Sequence, residues 1–528
     1  MILLPKRLLA LWALFFPLSP FVYYLSAEKS NLVSTHTILA SLVFTLSVVL
    51  LPIFAKLPKT IISGYLVLIN LWTILTHLSV QLSGAFPSAT VMALALKTDP
   101  REAYGFLAVN LITLGLVLTS GIPALYGSLK TSALPSLAQV FNIRLSILGI
   151  CLLAIPSFFN GVSLIYPASS ISILVKLRGV AEQASFVDMA EKVEILSNKA
   201  GHDNTAIVLV IGESSQADYW QLDGYPKKTT PRLTARHNAG ELINFSKHMS
   251  TAEATYLAVP SLISPNEQPI VFDNTKLRKS VVSVMHAAGY STGWLSVQSP
   301  QPASAEADAT DFDTDFFNYR IQSAYDEKLV GSASNWLRLH QDANTFLVLH
   351  TLGSHLPFEH RYPEAFDTWR RDKSAHYPQS QSTANYENTI NYTDYVLDQL
   401  IKTLEKEHRP TILVFASDHG ESLMKGVSRA RGPIQDVLHV PFFIWGNSLW
   451  RNQHPTTWAA LRDKEADDIV THHFNVVPTL TSLLGIDYKG KPYNRDLLNR
   501  SFTPWVTTPA VDTDHTSYIQ VKNIFKNN

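Results

Sequence analysis

Two patterns of apolar and polar positions divide the chain. Five apolar stretches occupy its first part: Leu8 to Leu25, Thr37 to Ala55, Ile61 to Val80, Tyr104 to Tyr126 and Leu145 to Ile165. Each is about the length a helix needs to cross a bilayer. The first is too long for a cleaved leader, and further spans follow it. From residue 201 onward the pattern changes to short, fully apolar runs separated by amphipathic segments. "TAIVLVIGES", "YSTGWLSVQS", "TFLVLHTLGSH", "PTILVFASDHGES" and "VPFFIWG" read as buried strands. "NYENTINYTDYVLDQLIKTLEKEH" and "FNVVPTLTSLLG" read as helices between them. That alternation predicts an α/β domain with a largely parallel sheet.

Short basic loops set the orientation of the apolar half. Lys6 with Arg7, Lys56 with Lys59, and Lys130 with Arg144 all fall on one side if the amino terminus is inside. Five spans then put everything after Pro167 outside the cytoplasm, in the periplasm if the cell is a bacterium. The expected organisation is a five-helix transmembrane domain over 1–166, an interfacial helix and linker over 167–200, and an external catalytic domain over 201–528. The loop "SGAFPSATVMALALKTDPREAYG" is long and half apolar, as suits a segment at the membrane surface.

Composition removes some classes of function. Lysine and arginine total 43 and so do aspartate and glutamate, which leaves no electrostatic footprint for nucleic acid. One cysteine, Cys151, excludes a disulfide framework within the chain.

Candidate chemistry collects where strands end, the place where open α/β sheets build their sites. Glu213 closes one apolar run, His350 and His355 follow another, and Asp418 with His419 follow a third. Two carboxylates and an imidazole suit zinc, with manganese as the alternative. Three protein ligands leave a position for a nucleophile. The hydroxyl-rich stretch "MSTAEATYLAVPSLIS" offers Ser250, Thr251 and Thr255, among which spacing does not choose. Ser214 and Ser215 compete, although helix capping is the more ordinary role for serines after a strand. No Cys- or Ser-x-Pro-x-Arg segment appears in the second half, which argues against sulfate-ester hydrolysis.

In order, "VIGESSQADYWQLDGYPKKTTPRL", "TYLAVPSLIS", "LHTLGSHLPFEHRYP" and "SDHGESL" resemble the phosphoethanolamine transferases of Gram-negative bacteria. These enzymes belong to the alkaline phosphatase and sulfatase superfamily. The resemblance implies that Glu213, Asp418 and His419 are zinc ligands and that Thr255, five residues before Pro260, is the zinc-bound nucleophile. It assigns His355 to a second metal or the phosphoryl group, and Thr98 and Glu102 to the ethanolamine headgroup. Arg431 stands where the family often has a histidine, which counts against a second zinc and suits contact with phosphate oxygens. His439 is a further candidate facing the site. Leu94 replaces a loop asparagine, and Thr251 and Ser261 replace paired cysteines, so the chain reads as a divergent branch.

The implied reaction moves phosphoethanolamine from phosphatidylethanolamine in the bilayer to an envelope acceptor, a glycolipid, glycan or protein, through phosphothreonine. The implied location is the inner membrane, with the catalytic domain in the periplasm. A phosphoglycerol transferase of the lipoteichoic-acid-synthase type and an inactive membrane scaffold are the alternatives.

Overall fold

The computed structural model describes residues 58–83, 111–129, 193–198, 204–264, 280–298, 325–369, 381–421, 437–511 and 516–520, with Ala13, Phe16, Leu423 and Phe525. The chain divides into two units, Met1–Ala181 and Glu182–Asn528. The boundary falls inside the segment expected to be an interfacial helix and linker.

In the first unit, α1 (Lys59–Ser83) and α2 (Leu111–Ser128) overlap the third and fourth expected spans. Small and polar residues bring them together. A Cβ at Gly121 would meet Ile74 Cγ1 at 2.6 Å, and the fully buried Asn70 donates to Ala13 O at 2.9 Å and Ser128 Oγ at 3.0 Å. Such close backbones and amide bonds are how helices associate where apolar burial alone gives no preference. Among the described residues no helix is long and apolar enough to cross a membrane. The remaining three expected spans lie outside the described residues, apart from Ala13 and Phe16.

The second unit opens with β1 (Ile195–Asn198), β2 (Ala206–Gly212), α3 (Pro231–Asn238), β3 (Leu242–Asn244) and β4 (His248–Met249). It continues through α4 (Thr255–Ile263), α5 (Val281–Ala287), β5 (Ser291–Ser296), α6 (Glu327–Leu339), β6 (Thr345–His350) and α7 (Gln381–Leu404). β7 (Thr411–Ser417), β8 (Phe442–Gly446), α8 (Ser448–Gln453), α9 (Pro455–Ala466), β9 (Thr471–His472), α10 (His473–Leu483) and β10 (Ile486–Tyr488) follow. Six strands form one sheet in the order β3-β8-β7-β2-β6-β5. β7, β2, β6 and β5 run parallel, while at one edge β8 pairs antiparallel with β7 and β3 antiparallel with β8.

β2 lies at the centre and is buried along its whole length. Its side chains alternate between two cores, as a strand's period of two requires. Ile207, Leu209 and Ile211 join Val259 and Leu262 of α4 and Val476 and Leu480 of α10. Ala206, Val208 and Val210 join Trp336 and Leu337 of α6 and Ile390 and Leu397 of α7. Helices therefore cover both faces, which explains why the run reads as continuously apolar.

One expectation needs correction. The segment "ISILVKLRGVAEQASFVDMAEKVEILSNKAG", expected to be an interfacial helix and linker, carries a strand at its end. Ile195–Asn198 pair antiparallel with β10, and Ile195 packs against the core beside Val193. Ladder bonds and apolar burial outweigh the helix-like spacing there. The part of that segment before residue 193 lies outside the described residues.

Leu209 is fully buried at the middle of the central strand. Leu209→Ala is expected to cost about 2–5 kcal/mol of stability. Urea unfolding of the detergent-solubilised chain, followed by tryptophan fluorescence, measures it; an unchanged midpoint would contradict a central β2.

Candidate active site

Parallel register decides which residues meet. Gly212 pairs with Ser417, so the residues after them, Glu213 and Asp418, leave the sheet side by side. Asp418 N extends the ladder by donating to Gly212 O at 3.0 Å. Close packing fixes the same spot, because a Cβ at Gly212 would meet the Phe415 ring at 2.8 Å. Beyond Glu213 the backbone turns through Ser214, at a φ of 53° that non-glycine residues seldom adopt. Gly353 crosses over the carboxylate residue at a φ of 46°, where a Cβ would lie 2.6 Å from Glu213 O. Only glycine fits that crossing. Ser354 N then donates to Glu213 O at 2.9 Å.

Three buried side chains converge: Glu213 at 1% exposure, Asp418 at 0% and His419 at 8%. Their potential ligand atoms all lie within 4.8 Å of one another. Asp418 Oδ1 accepts from Ser214 N at 3.0 Å and His419 N at 2.6 Å, while Oδ2 is buried with no protein partner. His419 Nδ1 lies 2.7 Å from Gly420 O, a contact only an N–H satisfies, so in the neutral ring Nε2 carries the lone pair. That Nε2 is 3.6 Å from Glu213 Oε1 and 3.5 Å from Asp418 Oδ2.

Thr255 completes the group from the first turn of α4. Its Oγ1 donates to Glu213 Oε2 at 3.0 Å and lies 3.3 Å from His419 Nε2. A tetrahedral zinc with bonds of about 2.0–2.1 Å separates its ligand atoms by about 3.3 Å. The orphaned Asp418 oxygen, the free lone pair of His419 and these separations fit zinc.

Electrostatics point the same way. Burial and the charge of Glu213 push the Asp418 carboxyl up to about 7. Burial opposes charge on His419, but Asp418 and Glu213 outweigh it and hold the imidazolium up to about 9. The cluster therefore favours positive charge among its carboxylates, which a divalent ion would supply.

The other hydroxyls have different partners. Ser250 Oγ donates to Asp418 O and Ala252 O, and Thr251 Oγ1 faces His473 Nδ1 at 3.5 Å. Neither Ser214 nor Ser215 caps a helix: Ser214 Oγ donates to Glu213 Oε1, and Ser215 Oγ accepts from the Trp220 indole. His355 is half-buried and helps hold the Glu213 carboxyl low. Its Nδ1 donates to Leu356 O at 2.8 Å, and Arg361 anchors its carbonyl. His350 ends β6 but lies edge-on to Trp294 rather than among the three ligands.

His439 does not face the site as expected. Nδ1 binds Asp218 Oδ1 and Nε2 binds Ser246 O, both at 2.7 Å, so both nitrogens donate and none remains for a substrate. Thr98, Glu102 and Arg431 lie outside the described residues.

Gln298 was not legible beforehand. Its Nε2 donates to Glu213 Oε2 and to Thr351 O, each at 2.7 Å. A lone glutamine after a strand has no signature that separates it from a surface residue.

The chain belongs to the Sulfatase family, whose model matches residues 205–486. Phosphoethanolamine transferase EptA of Helicobacter pylori is 25% identical over 469 residues, 83% of this chain and 86% of that protein. The integral membrane lipooligosaccharide phosphoethanolamine transferase A of Neisseria meningitidis shares the fold. Its TM-score is 0.72 at 20% identity, over 93% of this chain and 97% of that one. The periplasmic domain of EptC from Escherichia coli, solved in complex with zinc, gives a TM-score of 0.55 at 23% identity. It spans 63% of this chain and 96% of that one.

Replacing Gln298 with leucine removes the amide that orients Glu213. Zinc affinity is expected to fall about 10–100-fold. Competition with a chelator on the purified chain measures it, and an unchanged affinity would deny Gln298 that part.

Proposed function

We propose that the chain is a zinc-dependent phosphoethanolamine transferase of the bacterial inner membrane, with five spans and a periplasmic catalytic domain. It takes phosphoethanolamine from phosphatidylethanolamine and passes it, through phospho-Thr255, to an envelope glycolipid, glycan or protein. The observation that carries this reading is Thr255 Oγ1, 3.0 Å from Glu213 Oε2 and 3.3 Å from His419 Nε2.

Glu213, Asp418, His419 and Thr255 would hold the zinc. Bound there, it makes the threonine alkoxide accessible near neutral pH and offsets charge on the phosphoryl oxygens. The chain's own residues do the rest. Thr255 sits on the first turn of α4, where the helix dipole favours an anionic oxygen and a phosphoryl group. As Oγ bonds to phosphorus, the bond from phosphorus to the diacylglycerol oxygen breaks. The threonine proton would end on that oxygen, with His355 or Arg431 serving the leaving group. An acceptor hydroxyl or amine then attacks the same phosphorus, the Thr255 bond breaks, and the acceptor's proton returns to threonine. Glu102 and Thr98 would receive the ammonium end of the headgroup, and Arg431 the phosphoryl oxygens.

Intact-protein mass after incubation with phosphatidylethanolamine tests the reading. The zinc-loaded wild type is expected to gain one phosphoethanolamine, and Thr255→Ala to gain none while losing turnover by about 10³-fold or more. Zinc-loaded wild type that forms no adduct and releases no diacylglycerol overturns the proposal.

A further inference from the structure

Helix α7 does more than cover the sheet. Four consecutive side chains, each turned about 100° from the last, fasten separate loops around the candidate site. Tyr386 reaches the turn after Glu213, and Glu387 takes Tyr225 and Lys227. Asn388 accepts from the backbone N–H groups of Thr368 and Trp369. Thr389 Oγ1 donates to Ser354 Oγ at 2.7 Å, beside the loop that carries His355.

The Tyr386 contact bears directly on a metal ligand. Its hydroxyl donates to Ser214 O at 2.7 Å and accepts from Gln216 N at 2.8 Å, so one oxygen closes the turn from both ends. Between those two atoms lies Ser215, and the left-handed backbone of Ser214 comes immediately before them. Ser214 N, on the other side of the same residue, donates to Asp418 Oδ1. Tyr386 itself has little freedom. It is fully buried, with its ring edge-on to Tyr219 at 5.2 Å and Phe358 at 5.1 Å.

We propose that Tyr386 is a positioning residue for the zinc site: its hydroxyl holds the Ser214–Gln216 turn in the one conformation that presents Glu213 and Asp418 together. The inference rests on the zinc reading above. Removing the oxygen leaves Ser214 O and Gln216 N without their partner in a dry interior, and the uncommon turn loses the bond that opposes its relaxation. The neighbouring Glu387 binds Tyr225 and Lys227 of a different loop, which makes it the control.

Zinc dissociation constants of the full detergent-solubilised chain, measured by chelator competition, test this with Tyr386→Phe and Glu387→Gln side by side. Tyr386→Phe is expected to weaken zinc binding about tenfold, and Glu387→Gln to leave it unchanged. Wild-type affinity in Tyr386→Phe overturns the inference, and so does equal weakening in both variants, which would mark a general loosening of α7. A wild type that takes up no zinc removes the metal reading and this inference with it. Should Tyr386→Phe not fold, the wild-type chain carries the test. By linkage, zinc loading must slow hydrogen exchange at the Gln216 amide. Exchange indifferent to zinc overturns the proposal.

Discussion

Two carboxylates forced into one dry corner are the constraint around which this domain is arranged. Because β2 and β7 pair in parallel with Gly212 opposite Ser417, Glu213 and Asp418 emerge at the same height. Their ligand oxygens lie no more than 4.8 Å apart. At an effective dielectric of about 20, two full charges at that distance repel by at least about 3 kcal/mol. Neither residue is able to swing away, since backbone bonds and buried neighbours hold both. Something positive must sit between them. His419 supplies part of that charge, and a divalent cation supplies it fully.

The surroundings make sense as answers to that constraint. Asp418 spends one oxygen on two backbone N–H groups and leaves the other bare. His419 spends Nδ1 on Gly420 O and leaves Nε2. Each ligand is thereby oriented by bonds it makes on its far side, so little conformational freedom remains to be lost when a metal arrives. The same logic places the ligands at strand ends rather than in free loops. A seven-residue strand paired with a neighbour on each side holds its end residue more tightly than a loop would.

Legibility in the sequence followed burial. The central strands read plainly because both faces are covered, so "AIVLVIG" and "TILVFAS" carry no polar interruption until their ends. Glu213 and Asp418 stood out for the same reason, since an acid closing such a run is costly unless it has a task. Hydroxyls gave no such contrast. Ser250, Thr251 and Thr255 lie within six residues, and only the fold assigns the first two to Asp418 O and His473. His439 was ambiguous because a histidine near an apolar run looks alike whether it meets substrate or, as here, bridges Asp218 and Ser246 O. Gln298 and Tyr386 were silent. They act on Glu213 and its turn across 85 and 172 residues of chain, and such separations leave no local pattern.

A division of labour follows between sheet and helices. The sheet fixes where the ligands begin, but not the direction in which the chain departs after them. That direction belongs to the turn at Ser214, whose backbone conformation is uncommon for serine and therefore needs outside support. Support comes from α7 on one core face and from the Gly353 crossing above. Thr255, the proposed nucleophile, comes from α4, which packs on the opposite face. The candidate ligands and Thr255 are thus held from opposite sides of one sheet, and the parallel strands between them keep the two sets in register.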